Sequence, residues 1–142
     1  MFKFIFYIIL LLFFSVQHLP AQGNNESQHP DSVLNEKDSP KIIYGTASYY
    51  ANKFQGRRTA NGEIFDQLKM TAACNVLPLG TWIRVTNLRN KKSVVVKVND
   101  RLHHRMKRAV DLSREAARQL GFIGSGLAKV KVEVLGKKKP SQ

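Results

Sequence analysis

An alternating stretch near the end of the chain limits the folds open to this sequence. Residues 127–135 read LAKVKVEVL, with valines at every second position from 130 and charged side chains between them. A period of two residues is typical of a strand with one buried face. Two β-branched runs, 81–88 and 93–98, flank the polar segment 89–92 and predict a hairpin. With another strand predicted at 42–50, we expect a mainly β fold.

One helix and one long irregular segment complete the pattern. The segment 113–120 begins with an N-cap serine, contains two alanines and is followed by Gly121, which together predict a helix. Residues 51–81 show no long period, so we expect loops there, with a single helical turn beginning at Thr71. The same order of features occurs twice: small residues beginning at Thr71 and at Ser113 are each followed by a Leu-Gly pair and then by a predicted strand. This repetition suggests two related halves.

The first 40 of the 142 residues differ in character from the rest. Lys3 precedes an unbroken apolar run over 4–14, and a more polar stretch ends at Ala21, a pattern typical of a cleaved secretory signal peptide. The run is shorter than the roughly 20 residues that a membrane-spanning helix needs, so a permanent membrane anchor is the weaker alternative. We therefore expect a signal peptide at 1–21, a disordered polar tether at 22–40, one folded domain at 41–136 and a basic tail at 137–142.

Cys74 is the single cysteine of the chain, and this count excludes two kinds of structural support. An intramolecular disulfide needs two cysteines, and a cysteine-only zinc cluster needs four. No cysteine lies near the predicted cleavage point, so we expect no lipid anchor there. The sequence predicts an exported monomer in the periplasm or cell envelope that is not a lipoprotein.

The folded part is strongly basic. Residues 41–142 carry 21 basic and 6 acidic side chains, a difference of +15. Such charge is typical of proteins that bind nucleic acid, because lysine and arginine neutralise phosphates. Export argues against nucleic acid as a partner and favours the polyanions of the cell envelope. An exported binder of nucleic acid or of membrane surfaces remains an alternative that rests on charge alone.

Several blocks between residues 44 and 135 occur in an informative order. They read GTASYYANKFQGRRTANGEIFDQLKMTAACNVLPLGTWIRVTNL, SVVVKVNDR, AVDLSREAARQLGF and AKVKVEVL. These blocks resemble the rare lipoprotein A (RlpA) family. The resemblance implies a six-stranded double-psi β-barrel of two interlocked halves with one or two short helices. It also implies a lyase: an endolytic lytic transglycosylase that cleaves peptidoglycan glycan strands, prefers strands without peptides and forms 1,6-anhydro-muramyl ends.

Two carboxylates are the candidates for catalysis. Cleaving a glycosidic bond requires protonation of the leaving oxygen while positive charge develops on the sugar ring. Asp100 stands in the family's Val-Asn-Asp-Arg block and Glu63 in its Thr-Ala-Asn-Gly-Glu block. We assign Asp100 as acid and base and Glu63 as support for the transition state, with the reverse assignment open. The other acids are assigned to surfaces (Glu115, Glu133), a turn (Asp66) and the helix start (Asp111).

The resemblance also implies a set of substrate-binding positions, namely Tyr50, Thr59, Asn61, Cys74, Asn99 and Arg101. Cys74 stands where the family often has a histidine, and a small buried thiol is the other interpretation of this position. Leu102-His103 replaces a Gly-Pro turn. These departures leave a non-catalytic wall-binding module as a second hypothesis. We expect no metal and no cofactor, since the adjacent His103 and His104 cannot both face one metal from a strand.

Overall fold

Six strands close into a barrel in the structure, a computed structural model that describes residues 39–141. The strands are β1 (Ile42–Tyr49), β2 (Thr71–Ala73), β3 (Trp82–Asn87), β4 (Ser93–Asp100), β5 (Val110–Leu112) and β6 (Ala128–Gly136). One turn of 3-10 helix covers Asn52–Phe54, and the helix α1 covers Arg114–Gln119. The predicted signal peptide and nearly all of the predicted tether lie outside the described residues.

The strand pairing divides the barrel into two interlocked halves. The order around the barrel is β1, β5, β2, β4, β3, β6, and β6 closes onto β1. β1 pairs in parallel with β5, and β4 pairs in parallel with β2, while the other neighbours are antiparallel. If β1 to β3 are taken as one half and β4 to β6 as the other, the second strand of each half lies beside the first strand of the other half: β2 beside β4, and β5 beside β1. This arrangement confirms the expected double-psi β-barrel.

Alternating side chains fill the barrel. Val130 and Val132 of β6 are completely buried, as the period of two predicted, and they face the buried residues of the other strands. Val96 and Val98 of β4 are also completely buried. Full burial of one valine side chain stabilises a fold by about 1.5 to 3 kcal/mol. The barrel therefore provides a rigid support for the loops at its ends.

The helix is confirmed, and its capping residues act as predicted. The Ser113 Oγ accepts a hydrogen bond from the Ala116 N–H at 3.3 Å, and Ala116 and Ala117 face the core. Gly121 follows the last turn with φ of 71°, a left-handed conformation that glycine adopts without strain. In the part of the chain that the structure describes, no helix has the length and apolar character needed to cross a bilayer.

The predicted helical turn at Thr71 is wrong, because Thr71–Ala73 forms the strand β2. The strand β5 at Val110–Leu112 was not predicted either. Both segments have three residues, which is too short for a period to be visible in sequence. The suggestion of two related halves is correct, but its alignment is displaced, since Thr71 is the structural counterpart of Val110 and not of Ser113.

Candidate active site

A groove of about 660 Å³ lies against the barrel where β1, β2, β4 and β5 meet their loops. Two carboxylates face it, Asp100 from the end of β4 and Asp111 from β5. The other lining side chains are mainly aromatic or basic, and include Tyr49, Tyr50, Phe54, Phe65, Lys53, Arg57, Arg58, Arg101 and Arg108. A groove with aromatic faces, cations and carboxylates can bind a polar, ring-containing polymer and transfer protons to it.

Asp100 is held by three neutral donors. The Tyr50 hydroxyl donates to Oδ2 at 2.7 Å, while the N–H groups of Ala60 and Arg101 donate to Oδ1 at 2.9 and 2.8 Å. These contacts come from the residue that follows β1, from the loop before β2 and from the residue that follows Asp100. The carboxyl is therefore fixed in orientation at the edge of the groove.

Tyr50 connects Asp100 to an aromatic cluster. Its ring centroid lies 4.3 Å from that of Phe65 and 5.6 Å from that of Phe54, where the rings meet edge to face. Burial, the hydrogen bond to Asp100 and the charges of Asp100 and Asp111 raise the pKa of Tyr50. The phenol therefore keeps its proton and donates a hydrogen bond to Asp100 throughout the ordinary pH range.

The loop that carries Glu63 folds back as a small hairpin. Arg58 pairs with Ile64 in an antiparallel bridge, and the Thr59 N–H donates to the Glu63 carbonyl at 2.8 Å. The Thr59 hydroxyl donates to the Asn61 side chain at 2.7 Å, and the Asn61 N–H donates to the carbonyl of Asn99 at 3.1 Å. The predicted substrate-binding residues of this loop thus form its internal hydrogen bonds and join it to the end of β4.

Glu63 itself pairs with β4 and is not among the residues that line the groove. Lys97 donates to its Oε1 at 3.0 Å, and the buried Asn99 amide donates to its Oε2 at 2.9 Å. The hydrogen bonds from Asn99, Lys97 and Asn61 lower the pKa of Glu63 to about 2. Glu63 is therefore ionised at neutral pH.

Replacing Glu63 by glutamine gives a pH-dependent change in stability. The pKa of Glu63 is lowered to about 2 from an ordinary 4.5, which means that its ionised form stabilises the fold fully above pH 4.5. That contribution is lost as pH falls from 4.5 toward 2. Because the side chain is 41% exposed, we expect Glu63→Gln to cost roughly 0.5 kcal/mol at pH 7, or about 2 to 4 °C in Tm.

Thermal unfolding of the parent and Glu63→Gln across this pH range measures the effect. We expect the difference in Tm to shrink steadily below pH 4.5. An equal difference at pH 7 and near pH 2 would show that the charge of Glu63 does not support the fold.

Cys74 does not contact the groove, and its predicted role in substrate binding is not supported. Its side chain is 1% exposed and packs in the barrel core. Its carbonyl oxygen accepts a hydrogen bond from the Arg101 guanidinium, which also donates to the carbonyl of Leu77 at 3.0 Å. Arg101 lines the groove, as its assignment to substrate binding requires, but it also anchors the segment that follows Cys74.

Asp111 is the groove residue that the sequence interpretation missed. It lies in the middle of β5 between two buried residues, and its side chain does not cap α1. Oδ1 accepts from the Ser48 hydroxyl and from Arg108 Nε, both at 2.6 Å, and Oδ2 accepts from Arg108 Nη2 at 2.8 Å. The pattern of an acid between two apolar residues, Val-Asp-Leu, was a sequence signal for an outward-facing strand position.

The segment that replaces the expected Gly-Pro turn, Leu102-His103, begins with a buried side chain. Leu102 is 7% exposed, and its N–H donates to the Asn75 side chain at 2.9 Å. His103 lines the groove and lies against His104, with ring centroids 4.2 Å apart. Within residues 39–141, no three His, Cys, Asp or Glu side chains are grouped closely enough to hold a metal ion.

Comparison with known proteins identifies the family. Residues 42–132 match the sequence profile of a family described as "Lytic transglycolase". The chain belongs to the lytic transglycolase family. The resemblance seen in the sequence is therefore confirmed.

Curated relatives of this chain carry RlpA names. The chain is 46% identical over 127 residues to the "Probable endolytic peptidoglycan transglycosylase RlpA" of Nostoc sp., which covers 86% of this chain and 34% of the relative. It is 55% identical over 100 residues to the "Endolytic peptidoglycan transglycosylase RlpA" of Pseudomonas aeruginosa, which covers 70% of this chain and 29% of the relative. The chain thus spans about a third of the length of these relatives.

A solved structure shows how widely the fold is used. The Streptomyces papain inhibitor superposes with a TM-score of 0.55 and 19% identity, over 68% of this chain and 96% of that protein. This likeness concerns the fold alone. Because one barrel fold carries different functions, the activity of this member of the lytic transglycolase family has to be argued from its site.

Proposed function

We propose that the chain is an endolytic peptidoglycan lytic transglycosylase that leaves 1,6-anhydro-muramyl ends. Membership of the lytic transglycolase family and the names of the RlpA relatives support this activity. The observation that carries the proposal is Asp100, a carboxyl fixed at the edge of a groove whose walls are aromatic and basic. Residence in the periplasm or cell envelope is part of the proposal, because peptidoglycan is found there.

Asp100 performs both proton transfers in this reaction. As an acid it gives its proton to the glycosidic oxygen, and the bond from C1 of the muramyl sugar to that oxygen breaks. As a base it then takes the proton of the C6 hydroxyl while the C6 oxygen bonds to C1 and closes the anhydro ring. The proton that Asp100 gave is thereby restored, and no water is consumed.

Glu63 supports the reaction from outside the groove. Its ionised carboxylate holds Asn99 and Lys97, and the loop that carries it supplies the Ala60 N–H to Asp100. Glu63 is therefore proposed as a positioning residue for Asp100. The reverse assignment is disfavoured, because the Glu63 side chain pairs with Lys97 and Asn99 and is not among the residues that line the groove.

The groove also suits the polymer. Sugar rings stack on aromatic faces, which Tyr49, Tyr50 and Phe54 offer. Peptide-free strands expose the lactyl carboxylates of their muramyl sugars, and Lys53 and Arg57 supply positive charge along the groove. We propose that such strands are the preferred substrate.

The test is incubation of the chain with peptide-free glycan strands, followed by mass spectrometry of the soluble products. We expect fragments with 1,6-anhydro-muramyl ends. A non-catalytic wall-binding module is the second candidate, favoured by the burial of Cys74 where the family often supplies a histidine. That module would co-sediment with sacculi and release no fragments, which would overturn the proposed activity.

Tyr50→Phe tests the link between Asp100 and its hydroxyl donor. The phenylalanine keeps the packing on Phe65 but removes the donor at 2.7 Å, so Asp100 loses one of three bonds. We expect cleavage to slow about tenfold, because a misplaced catalytic group loses this much or more, and stability to fall by about 1 kcal/mol. The rate is measured by release of anhydro ends and the stability by urea unfolding.

Tyr44→Phe is the matched control, because Tyr44 is an exposed tyrosine of β1 that is not among the residues that line the groove. We expect Tyr44→Phe to keep the parental rate and stability. Equal rates for the two variants would show that the phenol of Tyr50 has no part in positioning Asp100.

A further inference from the structure

The two groove carboxylates lie on either side of one short strand. Ala73 of β2 pairs with Asp100 of β4 on one side and with Asp111 of β5 on the other. Paired residues on neighbouring strands project to the same face of a sheet. With neighbouring strands about 4.8 Å apart, the backbones of Asp100 and Asp111 are about 10 Å apart across β2.

Each of these carboxylates has room for one more hydrogen bond. A carboxylate has about four acceptor sites, two on each oxygen. Three donors contact Asp100 and three contact Asp111, and in both residues Oδ1 takes two of them and Oδ2 takes one. The open site is on Oδ2 in both, and both residues line the groove.

The partners of the two carboxylates differ in charge. Asp100 contacts a phenol and two backbone N–H groups, whereas Asp111 is bound by both nitrogens of the Arg108 fork. The Arg108 fork and the Ser48 hydroxyl fix the direction of both Asp111 oxygens. Asp111 is thus held in one orientation facing the groove, which suits a group that stabilises charge on a bound sugar.

We propose that Asp111 is the second carboxylate of the active site and stabilises the positive charge that develops on the sugar ring. This inference rests on the proposed transglycosylase activity. The reacting sugar lies in the groove between Asp100 and Asp111, so that Asp100 transfers the proton while the charge on C1 and the ring oxygen faces Asp111. Arg108 and Ser48 hold the carboxylate in place before the sugar arrives, so no reorganisation is needed during the reaction.

The test is Asp111→Asn, measured with peptide-free strands by release of anhydro ends. Loss of one fixed group that stabilises transition-state charge costs about 100-fold or more in rate. We expect kcat to fall about 100-fold with KM changed less than about threefold, because the charge is present only in the transition state. Glu115→Gln is the matched control, because Glu115 also pairs with an arginine three residues away, Arg118, but lies outside the groove.

Release of anhydro ends by the parent protein shows whether a failure concerns the proposed function or the role of Asp111. If the parent releases anhydro ends and Asp111→Asn does so at the parental kcat, Asp111 has no such role and the proposed function stands. If the parent releases none, the proposed function and this inference fail together. A fall in rate with Glu115→Gln equal to that with Asp111→Asn would also overturn the inference, because it would trace the loss to a broken ion pair.

Asp111→Glu keeps the inference testable if the asparagine variant does not fold. The glutamate keeps the charge and the pairing with Arg108 but moves the carboxylate by one methylene. We expect kcat to fall about tenfold or more with Tm unchanged, since displacement of a group by about 1 Å costs up to about 100-fold. A folded Asp111→Glu variant with the parental kcat would show that Asp111 only anchors Arg108.

Discussion

We expect Asp100→Asn to abolish strand cleavage and to leave the barrel intact. Asparagine has nearly the size of aspartate, and its Oδ1 can still accept the hydrogen bonds from the N–H groups of Ala60 and Arg101. Its NH2 group takes the place of Oδ2 and can donate to the Tyr50 hydroxyl, but it cannot deliver a proton to the glycosidic oxygen. General acid and base catalysis contributes about 100- to 10,000-fold to a rate. Because Asp100 acts in both steps, we expect release of anhydro ends to fall about 1,000-fold or more, measured by mass spectrometry of soluble fragments.

Binding and folding separate this result from a structural defect. We expect Asp100→Asn to sediment with sacculi like the parent and to melt within about 4 °C of it, a shift equivalent to about 1 kcal/mol. Asp66→Asn is the matched control, because Asp66 accepts a bond from the Leu68 N–H in a turn and does not line the groove. It should retain the parental rate. If Asp100→Asn itself retained that rate, the acid and base role would belong to another carboxyl.

Strands with a long pattern of apolar residues could be predicted from sequence, because side chains two residues apart in a strand lie on the same face of the sheet. The valines of β6 alternate with charged side chains from 130 to 134, and β4 contains the β-branched run that predicted a strand at 93–98; the structure has a strand at both places. The strands β2 and β5 have three residues each, and their environment is set by parallel partners distant in sequence. Local pattern carries no information about such partners.

The site was predicted only in part. Asp100 was selected because it stands in the family's Val-Asn-Asp-Arg block, and its side chain lines the groove. Glu63 was selected from its block, yet its side chain pairs with Lys97 and Asn99 outside the groove. Asp111 was assigned to the helix start because Ser113 follows so closely in sequence. Only the barrel topology shows that it lies across β2 from Asp100.

Cys74→His separates a core position from a groove position at the place where the family often has histidine. The Cys74 side chain is 1% exposed and packs among the aliphatic residues of the core. Imidazole is larger than a thiol, and overfilling a packed core costs about 1 to 3 kcal/mol. A buried ring nitrogen without a partner costs about 1 to 3 kcal/mol more. We therefore expect a large loss of stability in urea unfolding.

Cys74→Ala provides the comparison, because alanine leaves a small gap and adds no polar group, and we expect a cost of about 1 kcal/mol with the parental cleavage rate. Activity of Cys74→His should fall in parallel with its folded fraction and recover at temperatures where the variant is folded. A variant with histidine that melts like the parent and cleaves strands faster would show that position 74 reaches the substrate. In that case only the small thiol would be buried at position 74, and the larger imidazole ring would point into the groove that Asp100 and Asp111 line.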